Sequence, residues 1–115
     1  MKIPKLDQQT KKLFDSLVPD DPRVKVRPMF GNVSAFVDGN MFMGVYGPGL
    51  FVRLPEEGRE EFLSSAGAAV FEPMKERQMK EYVMVPSSWK GRPVKIKPWV
   101  ARSLELAGKL PPKAK

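Results

Sequence analysis

The stretch with the most suggestive chemistry is residues 87–98, SSWKGRPVKIKP, where Lys90, Arg92, Lys95 and Lys97 are interleaved with Trp89, Val94 and Ile96, and Trp99 follows directly. Cations set between aromatic rings can hold phosphates while a ring stacks on a base. Lys90, Arg92, Lys95 and Lys97 are therefore the candidate nucleic-acid contacts. The same pattern arises when both tryptophans anchor a loop and a last helix to the core and the lysines stand in water. That second reading is the preferred one.

Other reactive groups are few. Asp20 and Asp21 are adjacent carboxylates that could face a cation, but the flanking Pro19 and Pro22 fit ordinary turn chemistry better. Glu60 and Glu61 read as a solvated helix face rather than as acid–base carboxylates. A Lys80/Tyr82 pair has the types of a catalytic dyad, yet both residues are common at strand edges. The chain contains no cysteine and no histidine. Thiolate chemistry, disulfides, imidazole bases, Ser-His-Asp triads and imidazole metal sites are thereby excluded. Gly47-Pro48-Gly49 lacks the GK[ST] ending of a phosphate loop, and no nucleophile elbow or dinucleotide fingerprint occurs. The expectation is a protein that is not an enzyme, with no catalytic residue, metal, cofactor or small-molecule substrate.

A chain of 115 residues fits one domain, expected over residues 1–108, with 109–115 a disordered basic tail. Apolar content of 42% and charged content of 29% suit a globular domain with a modest core. No run approaches a membrane span, and Lys2, Lys5 and Asp7 interrupt any signal-peptide core, so a cytoplasmic location is expected. The net charge of +7 is lopsided: residues 1–72 carry 9 Lys/Arg against 10 Asp/Glu, and residues 73–115 carry 11 against 3. A basic third can face nucleic acid, or can simply keep the molecule in solution.

The elements that position these groups centre on residues 29–54, MFGNVSAFVDGNMFMGVYGPGLFVRL, read as an antiparallel meander. One hairpin turn falls at Asp38-Gly39 or Gly39-Asn40, where positive φ is cheap, and the next at Pro48-Gly49. Period-two alternation then puts Phe36, Met41, Met43, Val45, Leu50, Val52 and Leu54 on one face, and Val33, Ala35, Val37, Phe42, Tyr46, Phe51 and Arg53 on the other. The first face is wholly apolar and should be core. The second is too apolar for a wet side, so either a helix covers it or a second copy does. Phe42, Tyr46 and Phe51 are the candidate self-association face, and a homodimer or another protein partner is expected.

Around the meander, apolar spacing predicts a helix over residues 1–18, stopped by the two prolines that flank Asp20-Asp21. Residues 23–28 alternate Val24 and Val26 with Arg23, Lys25 and Arg27, a strand with a basic outer face at a sheet edge. Gly31 follows as a bulge or turn. A second helix spans 55–67, opened by Pro55 and ended by Gly67. A brief strand at 68–71 ends at Pro73, residues 74–80 form a polar loop, and 81–85 form another strand. A final helix covers 98–108, with Pro98 in its first turn. No internal repeat or second domain is expected. The fold class is α+β: about three helices packed on an antiparallel sheet of about five strands.

Several motifs in order suggest a family. Met29-Phe30-Gly31, then Phe36-Val37-Asp38-Gly39-Asn40-Met41-Phe42, then Leu50-Phe51-Val52-Arg53-Leu54 resemble the TfoX/Sxy N-terminal domain family. Its pattern is an MFGG-like opening, a D/N-G hairpin and a strand closing on a basic residue. A helix ending in Gly, an F-x-P-M segment and a Y-x-x-V-P strand end follow, matched by Gly67, Phe71-Glu72-Pro73-Met74 and Tyr82-Val83-Met84-Val85-Pro86. The departures are Asn32 at the second glycine of MFGG and a longer, more basic tract over residues 90–98. The resemblance implies a two-layer α/β arrangement around a curved antiparallel sheet, akin to secretion-chaperone-like folds. It implies no catalytic residue or cofactor. Homodimers suit such folds, and the family's better-known members are regulators of natural competence with an extra C-terminal domain, expected to be absent here.

Overall fold

The computed structural model describes residues 5–29, 32–65, 67–74 and 77–112. Helix α1 (Gln8–Leu17) leads into four strands: β1 (Val24–Met29), β2 (Asn32–Val37), β3 (Asn40–Tyr46) and β4 (Gly49–Arg53). Helix α2 (Glu56–Leu63) precedes β5 (Ala69–Met74) and β6 (Arg77–Met84), and a 3₁₀ turn (Ser87–Trp89) introduces α3 (Pro93–Gly108). The strands form one antiparallel sheet ordered β1-β2-β3-β4-β6-β5, so six strands stand where about five were expected. The α+β class and the antiparallel sheet are as the sequence predicts.

Both meander hairpins are two-residue turns. Val37 pairs with Asn40, which selects Asp38-Gly39, and both central residues have positive φ (51° and 83°), as a type I′ turn demands. Tyr46 pairs with Gly49, so the second turn is Gly47-Pro48, one residue earlier than expected. Gly47 takes φ 63° at the first central position. A primed turn matches the right-handed twist of the flanking strands, whereas Pro48-Gly49 in type II geometry would splay them. Asn32, the departure from the MFGG pattern, accepts the Gly47 backbone N–H at 2.8 Å.

The face partition is half right, and a β-bulge explains the rest. Phe36 pairs with Met41 but Ala35 pairs with Met43, so β3 carries one extra residue, Phe42. A one-residue bulge reverses the sidedness of everything beyond it. Met43, Val45, Leu50, Val52 and Leu54 face the core as expected, but Ala35, Val37 and Phe42 join them, while Phe36 and Met41 move away. The core is closed by Phe14 and Leu17 from α1, Phe62 from α2, and Ile96, Val100 and Ala107 from α3. All three helices thus pack on one face of the sheet.

Element ends depart from expectation where charge or proline misleads. Residues 1–4 lie outside the described residues, and α1 opens at the Asp7 N-cap, whose carboxylate accepts from the Thr10 N–H at 2.9 Å and the Thr10 hydroxyl at 2.7 Å. Helix α2 stops at Leu63, and Gly67, with φ 88°, turns the chain against Pro86 instead of capping the helix. Of the expected loop at 74–80, Met74 and residues 77–80 are strand, and Met74 pairs with Arg77. Pro73 lies inside β5 rather than ending it, because β5 is the sheet edge and has no outer ladder to lose. Pro98 lies inside α3, which begins five residues earlier at Pro93. Residues 30–31, where a bulge or turn at Gly31 was expected, lie outside the described residues. Of the expected tail, Pro111 accepts from Asn40 Nδ2 at 3.1 Å, and residues 113–115 lie outside the described residues.

Candidate functional site

The sheet face opposite the helices carries its own aromatic cluster. Phe51 and Phe71 stack at 4.4 Å with rings 10° apart. Tyr46 meets Phe71 edge-on at 5.2 Å, and Tyr82 meets Phe51 edge-on at 5.7 Å. Pairs of this kind add roughly 0.5–1.5 kcal/mol each beyond simple burial. Met41 and Met84 pack around them. Gly44 makes room for the Phe51 ring: a Cβ there would come within 2.5 Å of Phe51 Cζ. Phe51, Phe71 and Tyr82 are buried, while Met41, Tyr46, Met84 and Phe36 remain half-exposed.

Of the three residues expected on a self-association face, Tyr46 and Phe51 belong to this cluster. Phe42 does not: the bulge turns it into the helix-covered core, where it is fully buried. Tyr82 donates its hydroxyl to the Met41 carbonyl at 3.2 Å. Burial pushes its phenol up, with Arg53 opposing and Glu81 adding to the shift, so it stays neutral. Arg53 Cζ lies 5.6 Å from the Tyr82 ring centroid, and its Nη2 contacts Glu81 at 2.7 Å. The side chain of Lys80, the other half of the possible dyad, lies outside the described residues.

The basic tract is split by the fold. Lys90 turns inward: its ammonium donates to the Pro48 carbonyl and, at 3.2 Å, to the Thr10 hydroxyl, pinning the β3–β4 turn to the start of α1. Arg92 is the exposed N-cap of α3. Ile96 faces the core, which leaves Lys95 and Lys97 on the exposed side, Lys95 lying 5.8 Å from the Trp89 ring centroid. Both tryptophans pack edge-on against Phe62, at 5.5 and 5.0 Å. They act as anchors, the preferred reading of this stretch.

The carboxylates are engaged locally. Asp21 accepts from the Arg23 backbone N–H at 2.8 Å and from its Nε and Nη2 at 3.1 and 2.9 Å. The Arg23 guanidinium and N–H hold the Asp21 carboxyl down at about 2. Glu61 faces Arg102 at 3.4 Å, and Glu60 is exposed. Among the described residues no three Asp or Glu converge as a metal site.

Two features escaped sequence reasoning. Ser103 is fully buried on α3 and bridges β3 to β4, accepting from the Arg53 N–H at 3.1 Å and donating to the Phe42 carbonyl. A lone serine within an amphipathic helix carries no local signal of that role. The second is the convergence of Arg23, Lys25, Arg27 and Phe36 around one depression at the β1 edge. The basic outer face of β1 was legible, but the β1–β2 register that sets Phe36 opposite Lys25 was not.

The family model described as the TfoX N-terminal domain matches residues 12–107, from within α1 to the last turn of α3. No curated protein matches the chain.

Proposed function

This chain belongs to the TfoX N-terminal domain family, and on that premise we propose that it is a non-enzymatic regulatory module acting through protein contacts, with a second copy of itself as the partner. The observation that supports this is the sheet face that no helix covers among the described residues, where half-buried Met41, Tyr46 and Met84 surround a buried aromatic trio. An uncharged centre of this kind is self-complementary, and a two-fold pairing sets the same patch against itself. A cytoplasmic setting goes with this reading; among the described residues no helix is long and apolar enough to cross a membrane.

Sedimentation velocity over a concentration series tests it. A net charge of +7 opposes pairing, so dimer formation should strengthen as salt screens that repulsion. Met41→Glu and Tyr46→Glu should abolish it. A strict monomer at high micromolar concentration in high salt sinks the proposal.

A second reading, nucleic-acid binding, is supported by the exposed cations Arg92, Lys95 and Lys97 at the start of α3. Its signature is opposite in sign: binding that weakens with salt and with Ala at those positions. Lys90 contributes least here, since its ammonium is already spent on Pro48 and Thr10.

A further inference from the structure

We propose that the β1 edge and the groove beside it form a track for single-stranded nucleic acid, with Phe36 as the platform on which one base stacks. The inference rests on the nucleic-acid reading and moves its centre away from the C-terminal tract.

A depression of ≈ 370 Å³ is lined by Arg23, Lys25, Arg27, Phe36, Asp38 and Pro112. That volume falls within the range of ligand-binding clefts. Lys25 and Arg27 lie two residues apart on β1, so they project from the same side, opposite Phe36 and Ser34 on β2. Arg27 Cζ stands 5.9 Å from the Phe36 ring centroid. Neither Lys25 nor Arg27 forms an ion pair among the described residues. The half-buried Phe36 stands directly across from Lys25. It shares the face of Lys25 and Arg27 because the unbroken β1–β2 register pairs it with Lys25, and the β3 bulge turns that face away from the helices.

A second depression of ≈ 380 Å³ continues the surface between α1 and α3 and is lined by Leu17, Pro19, Arg23, Lys97 and Glu105. Arg23 borders both. Lys97 on one side and Lys25 and Arg27 on the other thus flank two depressions that meet at Arg23, whose guanidinium is engaged by Asp21, and Phe36 stands opposite Lys25. The carboxylates beside them are partly neutralised: Asp21 is held by Arg23, and Glu105 faces Lys109 at 3.2 Å. Asp38, beside Arg23 where the depressions meet, is an acceptor suited to a base amino group or a sugar hydroxyl rather than to phosphate. Spaced cations with an aromatic platform bind a strand; a phosphate alone gives the ring nothing to do.

The test is fluorescence anisotropy of a short labelled oligothymidylate with the full chain across a salt series. Binding should fall with salt, and Lys25→Ala with Arg27→Ala should lower the salt slope by roughly 0.7 for each phosphate no longer neutralised. Phe36→Leu should weaken binding roughly 5- to 150-fold with the slope unchanged, and Phe36→Tyr should retain it. Far-UV circular dichroism confirms folding; if Phe36→Leu fails to fold, Phe36→Tyr and the β1 pair carry the test. Absence of salt-dependent binding overturns the proposal, as does a Phe36→Leu variant that binds normally. Loss on Arg92→Ala with Lys95→Ala but not on the β1 pair also overturns it, leaving the C-terminal reading intact. Competition by a mononucleotide as strong as by the oligomer overturns the strand as occupant.

Discussion

Replacing Ser103 by alanine should cost this domain a large share of its stability. The β3–β4 ladder ends at the Met43/Val52 pair, and the next rung would join Phe42 to Arg53. That rung is made instead through the Ser103 hydroxyl, which donates to the Phe42 carbonyl and accepts the Arg53 N–H at 3.1 Å. Ser103 has no exposed surface, so water cannot take its place. Alanine removes one oxygen, leaves almost no cavity and orphans one donor and one acceptor. An orphaned buried polar group costs about 1–3 kcal/mol, and partial closure of the strands recovers some of this. The expected loss is about 2–4 kcal/mol against a total of roughly 5–15 kcal/mol for a small domain. For a chain of this length that is a fall in Tm of roughly 8–16 °C. Calorimetry with urea denaturation measures it, and the urea m-value should not change. Ser16→Ala, at an exposed site on α1, is the control and should stay within about 0.5 kcal/mol. A fall in Tm below about 3 °C for Ser103→Ala would show that the strands close the rung unaided.

Pro98 lies inside α3 and cannot donate to the carbonyl of Val94, whose side chain is 76% exposed. Pro98→Ala restores that bond and should raise stability by about 1–2 kcal/mol after the looser unfolded chain offsets part of the gain; a lower Tm would mean that the ring packs usefully. Thr10 hydrogen bonds hold the Asp7 carboxyl below its ordinary value, and Arg23 holds Asp21 at about 2. A depressed folded pKa stabilises the fold above the unfolded value, here 3.8, and that contribution is lost as pH falls toward about 2. Melting temperature against pH should therefore drop less steeply across that window in Asp7→Asn with Asp21→Asn, and an identical slope would contradict the assignment.

Local chemistry made most of the architecture legible. Asp38-Gly39 announced its hairpin because few residues accept two successive positive φ values, and the apolar spacing of α1 announced its buried face. The β5–β6 hairpin was hidden because residues 74–80 are polar and basic and because Pro73 falls inside β5, where only an edge strand tolerates it. The start of α3 was hidden because Pro98 reads as a first-turn proline, while Pro93 holds that place. In the basic tract the residue types were plain, but their roles depended on distant partners. Lys90 finds Pro48 and Thr10 across the molecule, and no spacing within residues 87–98 distinguishes it from Lys95.

The bulge at Phe42 was illegible for a different reason, and it matters most. An alternating strand and a bulged one share the same composition. Here the bulge stands beside a hydroxyl 61 residues away, which satisfies the backbone carbonyl of the extra residue. Once Phe42 is drawn under the helices, Phe36 and Met41 turn to the open face. Phe36 then meets Arg27, and Met41 offers its carbonyl to Tyr82. One buried serine thus supports the core and the arrangement of the opposite face together. A variant that let the bulge relax would leave Phe36 paired with Lys25 but change which side of the sheet they share relative to the helices, so the fold and the proposed track share a support that neither face reveals by itself.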